Sequence, residues 1–182
     1  MQQMKVWASL NAISKPTAKT NIFMVKSLVW AGILFAFVLG GCSKDSGCKP
    51  VPVDNEKAVL ETFNASIGLN ATRHSTGFYY QILVPGSTNK PVQTSQVFVK
   101  YKGTFLDGEV FDQQSNPGLT GFLLANLIDG WKLAIPLIGK GGKIHISVPS
   151  ALAYGCQGES RGTVAIPPNT PLYFEIELVD FL

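Results

Sequence analysis

From residue 77 onward, apolar and polar positions alternate with a period of two, in runs broken by Gly and Pro. Residues 78–84 (FYYQILV) run to Pro85-Gly86, and residues 96–102 (QVFVKYK) meet Gly103. Gly141-Gly142 opens residues 143–148 (KIHISV), which Pro149 closes, and the last run covers residues 172–179 (LYFEIELV). Side chains on a strand point alternately to its two faces, so these runs predict half-buried strands bounded by turns. In the last run Glu175 and Glu177 fall on the wet face, with Phe174, Ile176 and Leu178 inside.

Two stretches follow a helical period instead. Asp54 is placed to cap a helix, Glu56 lies in its first turn and Gly68 ends it. Val59, Phe63 and Ile67 recur at four-residue spacing with Leu60 beside them, an apolar stripe expected to pack against the following domain rather than a second copy. Residues 131–138 (WKLAIPLI), between Gly130 and Gly139, put Trp131, Ala134, Ile135 and Ile138 on one helical face. Pro136 removes a backbone donor and crowds the preceding turn, which limits this helix to one or two turns. The pattern predicts an α+β domain, an antiparallel sheet curled around a short helix and preceded by one N-terminal helix.

The first forty-odd residues stand apart. Lys5, Lys15, Lys19 and Lys26 are the only charges before Cys42, and residues 28–39 (LVWAGILFAFVL) form an uninterrupted apolar run. A basic segment, a short apolar stretch and small residues at its exit describe an export signal over residues 1–41, with Met24 as an alternative start. The run is shorter than the ~20 residues a spanning helix needs, which sets a transmembrane anchor second. Leu39-Gly40-Gly41-Cys42 resembles the lipobox of bacterial lipoproteins, which implies lipidation of Cys42 and an address in the cell envelope. Residues 42–53, polar and proline-containing, read as a flexible tether, residues 54–75 as a helical linker and residues 76–182 as the domain proper.

Charge changes meaning once this leader is set aside. The chain carries 15 basic and 12 acidic residues. Four of the basic residues and none of the acids precede Cys42, so the remainder holds eleven against twelve. No basic stripe with interleaved aromatics appears, so nucleic acid is not an expected partner. Cys48 and Cys156 read as unpaired small residues. An exported compartment permits a disulfide, but two cysteines far apart make no framework and their connectivity is not readable. No Cys–His spacing suits zinc, and neither a metal nor a cofactor is expected. His74 is isolated, and His145, between Ile144 and Ile146, reads as a wet-face strand residue.

The candidate chemistry is a scattered aromatic set with one acid: Tyr101, Phe111, Asp112, Phe122, Trp131, Tyr154 and Phe174, each near a turn or glycine signal. Singly, each aromatic reads as an ordinary core residue of a small β domain. Together they describe an apolar pocket with little reactive chemistry, and an acid beside such a pocket requires a partner if buried.

Ordered motifs give the set a family. Residues 99–108 (VKYKGTFLDG), 110–112 (VFD), 127–131 (LIDGW), 141–143 (GGK), 148–155 (VPSALAYG) and 166–169 (IPPN) resemble the FKBP-type peptidyl-prolyl cis/trans isomerases in order and spacing. The resemblance covers residues 76–182 and, with the lipobox, is similar to exported bacterial members. It implies the FKBP-like curved sheet around a short helix, Trp131 as pocket floor, and Tyr101, Phe111 and Phe174 as aromatic walls. Leu127, Ile128 and Ile166 supply aliphatic wall, and Phe122 completes the lining. Tyr154 offers its hydroxyl to a substrate carbonyl, and Asp112 sits beside the twisting amide and holds neighbouring hydroxyls. The implied catalytic residues are Asp112, Tyr154, Phe111 and Trp131. The implied partners are proline-containing, partly folded exported proteins, with the enzyme itself a monomer. Asp129 before Gly130, Thr120 and Gly121, and residues 156–164 depart from the common pattern.

This chemistry needs no nucleophile. The barrier of ~18–20 kcal/mol comes from amide resonance, and uncatalysed X–Pro isomerisation takes on the order of tens to hundreds of seconds. An apolar pocket that strips water from the carbonyl favours the twisted, less polar amide, and each ~1.4 kcal/mol gained gives about tenfold in rate. Two other readings stay open at this level: a binding module that holds proline-containing segments without turnover, and a structural lipoprotein with a vestigial pocket. The joint presence of Asp112, Trp131 and Tyr154 favours the enzyme.

Overall fold

The period-two runs become the sheet they predict. The structure, a computed structural model, describes residues 47–117, 121–162 and 164–182. The export signal, Cys42 and Thr120 therefore lie outside the described residues. Seven strands form one antiparallel sheet: β1 (Thr72–Arg73), β2 (Tyr79–Val84), β3 (Gln96–Thr104), β4 (Val110–Gln114), β5 (Phe122–Leu123), β6 (Gly142–Val148) and β7 (Leu172–Phe181). Their order across the sheet is β1-β2-β6-β7-β3-β4, with β5 paired to β3. Two helices accompany them, α1 (Lys57–Ser66) and α2 (Asp129–Ala134). Among the described residues no helix is long and apolar enough to cross a membrane.

The alternation sorts the strand residues by face. Val97, Val99, Ile144, Ile146, Val148, Leu172, Phe174, Ile176 and Leu178 are buried in one core with Trp131, Ala134, Ile135 and Ile138. Those last four are the face expected of the short helix. The helix ends where Pro136 forces a tighter turn, so Ile135–Leu137 continue as a 3-10 turn. On the other face the register aligns His145 with Glu175 and Lys143 with Glu177, leaving charge toward water.

Four elements differ from the sequence expectation. β4 was not foreseen, since VFDQQ does not alternate; it pairs with β3 through a bulge between Gly103 and Thr104. Helix α1 is entered by a 3-10 turn at Val53–Glu56, and no side chain caps it. Asp54, expected as the cap, is paired with Arg73 at 2.7 Å instead. The buried face of α1 is also not the predicted stripe: Val59 and Ile67 are 47% and 46% exposed, while Leu60 and Phe63 are buried with Glu56 and Asn64. Residues 56, 60, 63 and 64 share a face at i, i+4, i+7 and i+8. Two members are polar and hide because they are hydrogen-bonded, Asn64 Oδ1 accepting from Ser147 Oγ at 2.8 Å and Glu56 accepting from Ser150. A stripe drawn from apolar residues alone misses them.

The fourth difference is covalent. Cys48 and Cys156, read as unpaired, form a disulfide. Residues 48–51, within the stretch expected as a free tether, lie along the loop after Tyr154. Val51 N–H donates to Asn169 Oδ1 at 3.3 Å, and Asn169 Nδ2 donates to the Lys49 carbonyl at 3.3 Å. Asn169 holds a left-handed φ of 55°, a conformation asparagine tolerates better than most residues.

Candidate active site

Six pieces of chain deliver the aromatic set to one place. Strand β3 presents Tyr101, β4 presents Phe111 and Asp112, and β5 presents Phe122. Leu127 and Ile128 lead into α2, which carries Trp131. Tyr154 follows the 3-10 turn Ser150–Leu152, and Phe174 stands on β7. These nine side chains line a cavity of about 180 Å³. That is below the ~300–1,000 Å³ of pockets that enclose whole drug-sized ligands, so it suits one small ring and its adjoining amide.

The walls are rings packed edge to face. Tyr101 meets Trp131 with centroids 5.1 Å apart at 79°, Trp131 meets Phe174 at 5.4 Å and 84°, and Phe174 meets Phe111 at 5.6 Å and 90°. Such pairs place a positive ring edge on a negative face and each contributes ~0.5–1.5 kcal/mol beyond area burial. Phe105 backs Phe111 at 5.3 Å. Two residues outside the expected set also shape the walls, Phe105 as a buttress and Gly103, whose missing side chain leaves room for the rings. A Cβ added there would lie 2.6 Å from Phe111 Cζ and 3.0 Å from Phe174 Cε1. A glycine inside a strand run is the available signal for such close approach.

The lining also carries polar groups, Asp112 and the hydroxyls of Tyr101 and Tyr154. Tyr101 donates its hydroxyl to Asp112 Oδ2 at 2.7 Å, and Asp112 is exposed. Burial, then the hydrogen bond to Asp112, pushes the Tyr101 hydroxyl well above the usual phenol range. Burial, then the charges of Asp112 and Glu159, pushes Tyr154 up as well. Both tyrosines therefore keep their protons across neutral and mildly alkaline pH and remain donors. Trp131 is buried, and its Nε1–H has no protein partner among the described residues.

One residue expected in the wall does not line the cavity. Ile166 is buried at 5% exposure and is not among the side chains lining the cavity. Its backbone N–H and C=O pair with Glu159 at 2.7 and 2.9 Å, an isolated bridge. A broader depression of about 430 Å³ lies on the opposite sheet face, among Lys100, Lys102, Lys143, His145, Glu175 and Glu177. Two of its lysines pair with one acid, Lys143 with Glu177 at 3.3 Å and Lys100 with the same carboxylate at 3.9 Å. His145 there is held below its ordinary value by burial, partly opposed by Glu175, and its Nδ1 shares a 2.8 Å hydrogen bond with the Tyr173 hydroxyl.

Comparison with known proteins agrees with this geometry. The family model for FKBP-type peptidyl-prolyl cis-trans isomerase matches residues 87–179, half of the chain. The chain belongs to the FKBP family. The FKBP-type peptidyl-prolyl cis-trans isomerase FkpA of Escherichia coli K12 is 39% identical over 131 residues, covering 70% of this chain and 46% of that protein. Among solved structures, a peptidyl-prolyl cis-trans isomerase from Pseudomonas syringae pv. tomato superposes with a TM-score of 0.58 at 32% identity, covering 73% of this chain and 98% of that one. The crystal structure of FkpA from Escherichia coli gives 0.56 at 33% identity, covering 71% and 62%. This FKBP chain spans about half the length of the curated relatives it matches.

Proposed function

We propose that this FKBP protein is a peptidyl-prolyl cis/trans isomerase acting on proline-containing segments of exported proteins. The observation that carries the reading is the cavity itself: four interlocked aromatic rings with Asp112 and Tyr154 in the same lining. A proline ring enters over Trp131, between Phe111, Phe174 and Tyr101. Phe122, Leu127 and Ile128 exclude water from one side of the amide. Desolvation removes stabilisation from the polar, planar carbonyl and leaves the twisted form comparatively favoured. Tyr154 donates to a substrate carbonyl and anchors the peptide. The Asp112 carboxylate, oriented by Tyr101, faces the amide as its nitrogen loses conjugation, a pre-placed electrostatic contact that needs no reorganisation during rotation.

Exchange NMR on an Ala-Pro peptide tests this. Cis/trans exchange faster in the presence of the protein, and abolished by Phe111→Ala, is the expected outcome. Peptide binding without acceleration would replace the enzyme with a binding module. We assign Cys42 as a lipid attachment site and the cell envelope as the place of action, on the strength of the Leu39-Gly40-Gly41-Cys42 sequence. Labelled palmitate should enter the chain and fail to enter Cys42→Ala; incorporation that survives the substitution removes the anchor.

A further inference from the structure

Tyr154 lies on a stretch of chain that belongs to no strand or α-helix, yet it must present its hydroxyl to the cavity. Most backbone hydrogen bonds of this stretch are local, from Ala153 N–H and Gly155 N–H to the Ser150 carbonyl and from Gly158 N–H to the Tyr154 carbonyl. Its longer ties lead to the residues just before α1. Four positions before Tyr154, Ser150 N–H and Ser150 Oγ–H donate to the two carboxylate oxygens of Glu56, both at 2.7 Å. Glu56 is 6% exposed and Ser150 is fully buried, so both bonds are shielded from solvent. Two positions after Tyr154, Cys156 is bonded to Cys48. Between these, Asn169 accepts from Val51 N–H and donates to the Lys49 carbonyl, while its own N–H donates to the Gly155 carbonyl at 2.8 Å. Residues 48–56 thus grip the tyrosine segment on both sides of Tyr154. They lie outside the residues 87–179 that the family model covers.

The geometry points to residues 48–56 as a strap that positions Tyr154 for substrate, with Glu56 and Asn169 as positioning residues and the Cys48–Cys156 disulfide as a releasable clasp. None of the three touches the cavity; they act through the backbone on either side of Tyr154. This inference rests on the isomerase reading for its kinetic consequence, since Tyr154 is there the anchor of the substrate carbonyl. A loosened strap lowers the fraction of time the hydroxyl spends in place. An anchor lost from ground state and transition state alike raises KM and leaves kcat nearly unchanged. Opening the clasp needs a dithiol. Its thiolate attacks one sulfur, the Sγ–Sγ bond breaks, Cys48 and Cys156 each take a proton and end as thiols, and the dithiol closes to its own disulfide with two electrons passed.

The test uses the full chain carrying ring-labelled tyrosine, with and without dithiothreitol, alongside Glu56→Ala, Glu56→Gln and a Cys48→Ser/Cys156→Ser double variant. Urea midpoints are measured for each, so that a variant that fails to fold is set aside and the reduced parent takes its place. Reduction, the double serine variant and Glu56→Ala should each shift the Tyr154 ring signal without substrate. Each should also raise KM about two- to tenfold, the range for one hydrogen bond, with kcat within about twofold. Glu56→Gln, which keeps one acceptor oxygen, should recover part of the loss. In a Tyr154→Phe background the same changes should add no further rise in KM, because an effect transmitted through one hydroxyl vanishes with it. An undiminished rise in that background, or a Tyr154 signal unmoved by both reduction and Glu56→Ala, overturns the strap. A protein that never accelerates exchange but whose Tyr154 signal moves keeps the strap and loses the isomerase reading.

Discussion

Gly103→Ala is the sharpest test of whether ring placement governs this site. The residue sits in β3 opposite Asp112 on one side and Phe174 on the other. An alanine Cβ would lie 2.6 and 2.9 Å from two atoms of the Phe111 ring and 3.0 Å from Phe174 Cε1. Ordinary contact begins near 3.4 Å, so the Phe111 ring must retreat by roughly 0.8 Å and Phe174 by roughly 0.4 Å. Neither has room to do so freely. Phe111 is 4% exposed and wedged between Phe105 and Phe174, and Phe174 is itself wedged against Trp131. Overpacking of this kind costs ~1–3 kcal/mol, offset by ~0.5–1 kcal/mol from the lower chain entropy of alanine in a strand. The net expectation is ~1–2 kcal/mol of stability, read as a urea midpoint shift at constant slope. Activity should fall further than stability does, by about ten- to a hundredfold in exchange NMR, because the displaced rings are the cavity wall. Gly108→Ala is the control. Its φ is +95° and nothing lies within 4 Å of the new Cβ, so it costs ~1–3 kcal/mol of backbone strain without moving a ring. Equal activity losses in the two variants, or a Gly103→Ala protein within twofold of the parent rate, would refute the reasoning.

Other expectations follow from the same geometry. Asp112→Ala removes the acceptor of the Tyr101 hydroxyl at an exposed position, so it should cut turnover about ten- to a hundredfold and change stability by under about 1 kcal/mol, checked by exchange NMR and urea titration. His145 has a folded-state pKa below its unfolded value, so the unfolded chain binds the extra proton. Stability should therefore be full above about pH 6.5 and decline as pH falls below it toward the folded pKa. His145→Gln should flatten that slope in urea midpoints taken at pH 7 and pH 5, and an unchanged slope would remove His145 as its cause. Tyr101 and Tyr154 are raised above the phenol value of 10.0, so any fall of kcat/KM caused by their ionisation should have its midpoint above pH 10. A fall with midpoint below 10 that Tyr154→Phe abolishes would contradict the placement of Tyr154.

Strands whose faces differ in polarity were legible, and so was the core they make. Residues 143–148 and 172–179 alternate because one side meets α2 and the other meets water. Val110–Gln114 was not legible as a strand, since Phe111 and Asp112 both serve the cavity at a bulge and neither obeys the alternation. In the candidate site, nine of ten expected side chains converge on one cavity, because motif order fixes which loop ends meet across the sheet. Ile166 is the exception, since its isoleucine side chain suits a rim or a core equally and only the bridge to Glu159 decides. The contacts of residues 48–56 left no trace in any local period. Glu56 and Asn64 are buried by partners 94 and 83 residues away, and the cysteines are 108 apart.

Strand β7 carries one more consequence. Among the described residues it is the only strand hydrogen-bonded to both halves of the sheet, β6 on one edge and β3 on the other. It also comes last in chain order and lies outside the covalent ring closed by Cys48 and Cys156, which encloses β1 to β6 and both helices. A chain delivered from its N-terminus therefore holds two unjoined half-sheets, one bearing Val97 and Val99 and the other Ile144 and Ile146. Sealing the cysteine ring does not unite them. The sheet, and the aromatic wall that Phe174 supplies beside Trp131, is completed only when residues 172–181 join it, so its closure waits on this strand.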